Sequence, residues 1–313
     1  MVPSTIEAGI LVLFAALVVD RLIGDPHSSW HPVAILGRLI GLWGKPQLYS
    51  AGTQRFAGII FWLATVALFA LPFYFFVVIS PWYFYLAAGP FLLKSCFAWR
   101  ALEEHTLAVV AALKNGVEGG RTQVKLLVSR ETANLEREQI LSAGYESMTE
   151  NITDSIISPL FYFSLFGLVG AAIYREANTM DAMLGYRDER IRLGWCSARM
   201  DDILNYLPAR LTVLILLLYF SCRGRFSSTV RVIRNDSNKR PGFNGGMVMA
   251  AMAGGIGIRF EKPGVYTIGD SERTLDEAGP EIIRASRFVT ITFAALAGGT
   301  LFLLGSLINS TGI

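Results

Sequence analysis

Phe56 to Leu93 is a run of 38 residues without a single Lys, Arg, Asp or Glu. A helix needs about 20 apolar residues to cross the hydrocarbon core of a bilayer. The run is therefore long enough for two spans, with Ser80-Pro81 as the turn between them. Ser155 to Tyr174 is a second uncharged run, of 20 residues, and Phe288 to Ile313 a third, of 26. Thr5 to Ile23 reaches spanning length if Glu7, Asp20 and Arg21 at its ends snorkel to the surface. It does not read as a signal peptide: no basic segment precedes it and no small-residue cleavage site follows. Leu211 to Cys222 is apolar but short. Pro241 to Ile258 is uncharged, yet six of its 18 residues are Gly, which suits close helix packing or a re-entrant segment better than a lipid-facing span. The chain is 52% hydrophobic and only 17% charged, which excludes intrinsic disorder. The expected fold is all-α: a polytopic integral membrane protein with about 4–6 membrane helices, re-entrant segments and amphipathic cytoplasmic helices. Residues 1–313 are read as one membrane-embedded domain.

The charges collect in the connections. Residues 24–55 hold three Lys/Arg, residues 100–150 six basic and eight acidic groups, and residues 223–285 ten basic and seven acidic groups. Basic loops favour the cytoplasm. With 24–55 inside, the Phe56–Leu93 hairpin returns 100–150 to the inside. A single crossing by Ser155–Tyr174 would then place residues 174–205, with five Arg, outside. The conflict is removed if this segment is re-entrant and turns at Phe166-Gly167-Leu168-Val169-Gly170. It is tolerated if neighbouring acids neutralise those Arg. The net charge of +3 carries no nucleic-acid footprint. Cys96, Cys196 and Cys222 form no C-x-x-C pair and do not suggest a disulfide framework.

Between Arg130 and Arg210 the polar groups are dense. Glu146, Glu150 and Asp154 recur at four-residue spacing, with Asn151 beside them. On a helix the three carboxylates share a face and repel. Solvent, basic partners or a divalent cation must compensate, and oxygen ligands suit Mg²⁺ or Ca²⁺. A solvated helical turn is the simpler account of Glu146. Asn178 and Asp181 share a second face, and Gly185-Tyr186 reads as a helix end. Arg187-Asp-Glu-Arg190 reads as a solvated charge run, from which Arg187 is set apart as a candidate functional residue. Asp201-Asp202 followed by Asn205 reads as a Mg²⁺ cradle. Arg199 and Arg210 read as phosphate clamps, because guanidinium binds phosphate oxygens in a fork. A structural ion-pair network at the membrane surface is the competing account. His27 and His31 are four apart, but Pro26 and Pro32 argue against a metal-binding helix, and His31 reads as a hydrogen-bonding or acid/base group. Arg130-Glu131-Thr132 and Asn244, in its Gly-rich surroundings, complete the candidates. No P-loop or dinucleotide fingerprint is present. Read from residues alone, the chain handles phosphate with Mg²⁺ as an enzyme or a transporter.

The run Tyr174-Arg-Glu-Ala-Asn178-Thr-Met-Asp181-Ala-Met-Leu-Gly-Tyr186, then Ala198-Arg199-Met-Asp201-Asp202 and Asn205-Tyr206-Leu-Pro208-Ala-Arg210, resembles the CbiB/CobD family of cobalamin biosynthesis. Asp20-x-x-x-Gly24-Asp25-Pro26, His31-Pro32-Val33, Arg130-Glu131-Thr132, Glu146-Ser-Met-Thr-Glu150-Asn151, Asp154 and Ser158-Pro159-Leu160 fit the same pattern in order. At Gly242-Phe243-Asn244 only Asn244 matches, where the family usually has Ser-Pro-Asn. The resemblance implies an adenosylcobinamide-phosphate synthase, an acid–amine ligase. Such an enzyme joins (R)-1-aminopropan-2-ol O-phosphate, or a related amino-alcohol phosphate, to adenosylcobyric acid. It uses ATP as co-substrate and Mg²⁺. The implied metal ligands are Glu150, Asp154, Asp181, Asp201 and Asp202. Glu150, Asp181, Asp202 and His31 are the implied catalytic groups. Arg130, Asn151, Asn178, Tyr186, Arg187, Arg199, Asn205, Arg210 and Asn244 would bind substrate and phosphate. The implied setting is the cytoplasmic (inner) membrane, multi-pass, with the site facing the cytoplasm, no nucleic-acid partner and a homo-oligomer left open. A transporter would instead place its charges between inverted repeats, and no repeat is visible. A non-catalytic relative resembling the beta-lactamase-induction signalling protein AmpE would share the scaffold without the chemistry.

Overall fold

The computed structural model describes residues 5–25 and 31–311. In chain order its helices are α1 (Thr5–Ile23), α2 (Pro32–Trp43), α3 (Gln54–Ile79), α4 (Trp82–Lys94), α5 (Trp99–Lys114), α6 (Val117–Val124), α7 (Arg137–Ile152), α8 (Ser158–Leu184), α9 (Trp195–Leu204), α10 (Tyr206–Ser221), α11 (Phe226–Asp236), α12 (Gly245–Ile256) and α13 (Leu275–Thr311). A short hairpin, β1 (Arg259–Lys262) and β2 (Tyr266–Gly269), precedes α13. The protein is an all-α polytopic membrane protein. Among the described residues three helical runs are long and apolar enough to cross a membrane: Gln54–Ile79, Arg137–Leu184 and Leu275–Leu307. Trp195–Leu204 with Tyr206–Ser221 makes a fourth if the pair is one bent span.

The sequence treats the chain as one domain; the structure builds it as two compact units, each from separated stretches. The first comprises Met1–Ala98, Ser158–Asn205 and Ala294–Ile313. The second comprises Trp99–Ile157 and Tyr206–Phe293.

In the first unit, Ser80 and Pro81 separate α3 from α4, where the sequence places the turn. The second arm is shorter than a full span, however. α4 has 13 residues, which is about 20 Å of helix. It stops where Lys94, the first charge after the apolar run, is buried against Asp20 at 3.0 Å and against Asp25. The core joins Leu36, Ile40 and Trp43 of α2, Trp62 of α3, Leu193, and Ala177, Met180 and Leu184 of α8. Gly58 lets α3 lie directly on the Leu193 carbonyl, where any Cβ would collide with backbone.

α8 is not one straight rod. Gly167 has φ 63° and ψ −155°, which breaks the helix. Tyr162 and Tyr174 are twelve residues apart, a rise of about 18 Å in a continuous helix. Their rings nevertheless stack with centroids 5.4 Å apart. The Ser158 and Tyr174 hydroxyls also reach the same oxygen, Asn205 Oδ1, at 2.6 and 2.8 Å. The chain therefore doubles back at Gly167, as the re-entrant reading expects. The first arm, Ser158 to Phe166, spans about 13 Å, less than half of a hydrocarbon core of about 30 Å. Leu165 and Phe166 at the tip are 49% and 66% exposed, an apolar tip suited to lipid. Length and composition make Arg137–Leu184 a candidate span, but a hairpin enters and leaves on one side. Reporter fusions in the loop before Arg137 and in the loop after Leu184 should thus report the same side of the membrane. Opposite sides would restore a crossing.

In the second unit, α12 is buried nearly all round. Its glycines explain how. A Cβ on Gly254 would press on Val232 and Thr229 of α11, and one on Gly255 on the Phe220 ring of α10. The Gly-rich run is thus a close-packed interior helix. The β1–β2 hairpin is antiparallel, pairs Phe260 with Ile268, and turns through Gly264 at φ 70°. Both paired side chains are fully buried.

Candidate active site

In the first unit a polar network is built on the open end of the α8 hairpin and on α9. Asn205 caps α9 and is 1% exposed. Its Nδ2 donates to Asp201 Oδ2 at 3.0 Å, and Asn178 Nδ2 donates to Asp201 Oδ1 at 3.1 Å. The atom facing a carboxylate must be the amide NH₂, so Asp201 fixes the orientation of Asn205. That orientation presents Oδ1 to Ser158 and Tyr174. Asp201 is thereby aimed by two amides, one on each carboxylate oxygen. The sequence-predicted residues Asn178, Asp201 and Asn205 are brought together.

Asp202 sits 3.8 Å from Arg199, a loose and half-exposed pair. The Asp181 carbonyl accepts the Gly185 amide at the end of α8, where the sequence reads a helix end. Tyr186 and Arg187 are exposed. Arg190 stacks on Tyr186 at 4.1 Å and pairs with Asp188, so most of that charge run satisfies itself locally. Hydrogen bonds from Arg190 hold Asp188 down at about 2. His31 caps α2, its Nδ1 accepting from the Val33 amide at 3.3 Å. A neutral imidazole has one acceptor nitrogen, and here the cap occupies it. Burial pulls the His31 pKa below the ordinary imidazole value, against the opposing pull of Asp25. His27 lies outside the described residues.

In the second unit the acidic face of α7 meets basic partners. Glu146 is buried and accepts from Tyr266 at 2.8 Å and from Ser142. Arg130 lies 3.4 Å from it. Glu150 pairs with Arg240. Burial works against the Arg240 charge, but Glu150, Tyr266, Asp154 and Glu146 together raise its pKa. Asp154 is the second residue of a π-helical turn, Thr153–Ile157, so the four-residue register of the sequence reading does not continue past Thr153. Asn151 Nδ2 donates to the Ser147 carbonyl at 2.8 Å. Arg210 is engaged on protein: it donates to Asn244 Oδ1 at 2.6 Å and to the Phe243 carbonyl at 3.3 Å, and stacks on Tyr206 at 3.6 Å.

Among the described residues no three His, Cys, Asp or Glu side chains converge to cage a metal ion. Mg²⁺ is usually held by one or two carboxylates completed by substrate phosphates and water. The aimed Asp201 fits that kind of ligation.

Residues 13–290 match the family described as CobD/Cbib protein. The chain belongs to this family. It is 40% identical over 300 residues to the probable cobalamin biosynthesis protein CobD of Methanothermobacter thermautotrophicus, covering 94% of this chain and 98% of the relative. It is 41% identical over 265 residues to the probable CobD of Thermococcus kodakarensis, covering 82% and 84%. It is 36% identical over 276 residues to the cobalamin biosynthesis protein CobD of Dehalococcoides mccartyi, covering 85% and 88%. No solved structure matches the chain. In this CobD/CbiB family member the sequence reading missed Ser158 and Tyr174 as holders of Asn205, Lys94 as partner of Asp20 and Asp25, and Arg240 and Tyr266 on the acidic face. It also passed over Glu176, which is fully enclosed with no hydrogen-bond partner among the described residues on either carboxylate oxygen. Charge inside an apolar segment was the available signal for Glu176.

Proposed function

We propose that the protein is an ATP- and Mg²⁺-dependent ligase that joins an amino-alcohol phosphate to adenosylcobyric acid, giving adenosylcobinamide phosphate. The observation that carries this reading is the match to a family of cobalamin biosynthesis over residues 13–290. The aimed Asn178–Asp201–Asn205 group supports it. A corrinoid propionate must first be activated. Its carboxylate oxygen attacks the terminal phosphorus of ATP, forming an acyl phosphate and releasing ADP. The amine of the amino-alcohol phosphate then attacks the acyl carbon, the C–N bond forms, inorganic phosphate leaves, and the amine gives up a proton. Mg²⁺ would neutralise charge on the transferring phosphoryl group. In the first unit Asp181, Asp201 and Asp202 are the residues to hold it; in the second, Glu150 and Asp154. Arg187 and Arg199, both exposed, remain available for phosphate, whereas Arg210 positions the Asn244 loop. His31 or an acidic group takes the amine proton. In that role His31 must release the Val33 amide. The site faces the cytoplasm, where ATP is supplied.

The test is the purified protein with adenosylcobyric acid, (R)-1-aminopropan-2-ol O-phosphate, Mg²⁺ and ATP. Cobinamide phosphate and ADP should appear in equal amounts. Absence of product with any amino-alcohol phosphate would overturn the reading. Asp202→Asn should abolish synthesis while leaving the melting temperature near that of the parent. Its ion pair with Arg199 is long and half-exposed, and such pairs contribute about 0–1 kcal/mol.

A further inference from the structure

Among the described residues of the second unit, one buried guanidinium keeps donors that the acidic face does not use. Glu146, Glu150 and Asp154 follow one another along α7 and the π turn, with Arg130 and Arg240 as their partners. Arg130 Nε and Nη1 are wholly enclosed and have no hydrogen-bond acceptor among the described residues. Buried donors of a charged group are costly unless paired. Two donors of Arg130 therefore call for an acceptor that the neighbouring carboxylates do not supply. Arg240 is held in a shaped seat. A Cβ on Gly245 would lie 3.0 Å from its Nη1, and one on Gly242 would lie 3.1 Å from the same atom. Gly242 itself has φ 112°, a conformation that side-chain-bearing residues rarely adopt. Gly242 falls where the sequence departs from the pattern that the resemblance implies. The loop is pinned by the Arg210–Asn244 bond, so the guanidinium is presented from a fixed base.

We propose that Arg240, with Arg130, receives the phosphoryl group of a substrate, and that the Glu150 carboxylate holds that place in the ligand-free protein. Carboxylate and phosphate are alternative acceptors for the same guanidinium fork. A phosphate dianion carries more charge and more acceptor oxygens, and it displaces Glu150. The released carboxylate is then free for the divalent cation that accompanies the phosphate. The phosphoryl group belongs either to the amino-alcohol phosphate or to the terminal position of ATP. The inference rests on reading the protein as a phosphate-handling ligase, but its test measures binding and does not depend on synthesis.

The experiment is equilibrium binding of aminopropanol phosphate and, separately, of ATP to the purified full chain in detergent with divalent cations chelated. Glu150→Gln removes the placeholder and should tighten one of the two ligands about tenfold, and that ligand identifies the source of the phosphate. Asp154→Asn removes the same charge one turn further along and leaves Glu150 in place, and should tighten it by less than about threefold. Arg240→Gln should weaken it about tenfold or more. Unchanged or weaker binding in Glu150→Gln, equal tightening in Asp154→Asn, or parental affinity in Arg240→Gln would each overturn the proposal. Where Arg240→Gln does not fold, Arg240→Lys keeps the charge and loses the fork. It should still weaken binding, and parental affinity there counts against the proposal as well. Loss of synthesis with this binding pattern intact would sink the ligase reading alone.

Discussion

Asn205→Ala is expected to abolish cobinamide phosphate synthesis and to destabilise the protein by about 2–4 kcal/mol. Asn205 joins three polar groups at one enclosed point: it accepts from Ser158 and Tyr174 and donates to Asp201. Truncation leaves two hydroxyls without their acceptor and one carboxylate oxygen without its amide. An unmet buried polar group costs about 1–3 kcal/mol. The Asn178 bond to Asp201 survives, so the carboxylate is loosened but not lost. Tyr174→Phe removes one donor and leaves Ser158 on the same oxygen. It should therefore cost less than half as much and lower synthesis only in part. Thermal melting in detergent and the synthesis assay read the two effects separately. Parental melting and parental turnover in Asn205→Ala would remove the network from both the fold and the chemistry.

Features set by local chemistry were legible in the sequence, and those set by distant pairings were not. The Ser80-Pro81 turn, the extent of Thr5–Ile23 and the break at Gly167 all follow from hydropathy and from the residues Gly and Pro. The buried character of the Gly-rich segment follows from its lack of side chains for lipid. The β1–β2 hairpin was missed although Phe260 and Ile268 flank Pro263-Gly264, a turn signal inside an alternating pattern. α4 was expected to span, but Lys94 draws its end into a pair with residues at the far end of α1. Spacing rules act over three or four residues, whereas Lys94 meets Asp25 across 69 positions and Arg240 meets Glu150 across 90. The requirement for a compensating charge on the acidic face was therefore readable, and the identity of the compensating residue was not. Arg210 shows the converse. A guanidinium placed well for phosphate by sequence spends its donors on Asn244 and Phe243.

Replacing Gly167 and Gly170 together by Ala should convert part of the population from hairpin to crossing helix. Gly167 has φ 63° and ψ −155°, a region essentially restricted to glycine. No atom lies within 4 Å of where its Cβ would be, so the cost is backbone strain, about 1–3 kcal/mol, and not a clash. At Gly170 the obstacle is different. A Cβ there would run into the Tyr162 carbonyl and Phe166 of the opposite arm. Each Gly→Ala change also favours a straight helix by about 1 kcal/mol. The uncharged run Ser155–Tyr174 has 20 residues, enough to cross if it straightens. The hairpin is held by the Tyr162–Tyr174 stack and by the two hydroxyls on Asn205, contacts worth a few kcal/mol together. The opposing terms are of similar size, so a mixed population is expected. A reporter after Leu184 should then show both orientations, where the parent shows one. Synthesis should fall with the fraction displaced, because a crossing carries Asn178 away from Asp201. A single orientation with full synthesis in the double variant would mean that Gly167 and Gly170 do not decide the turn.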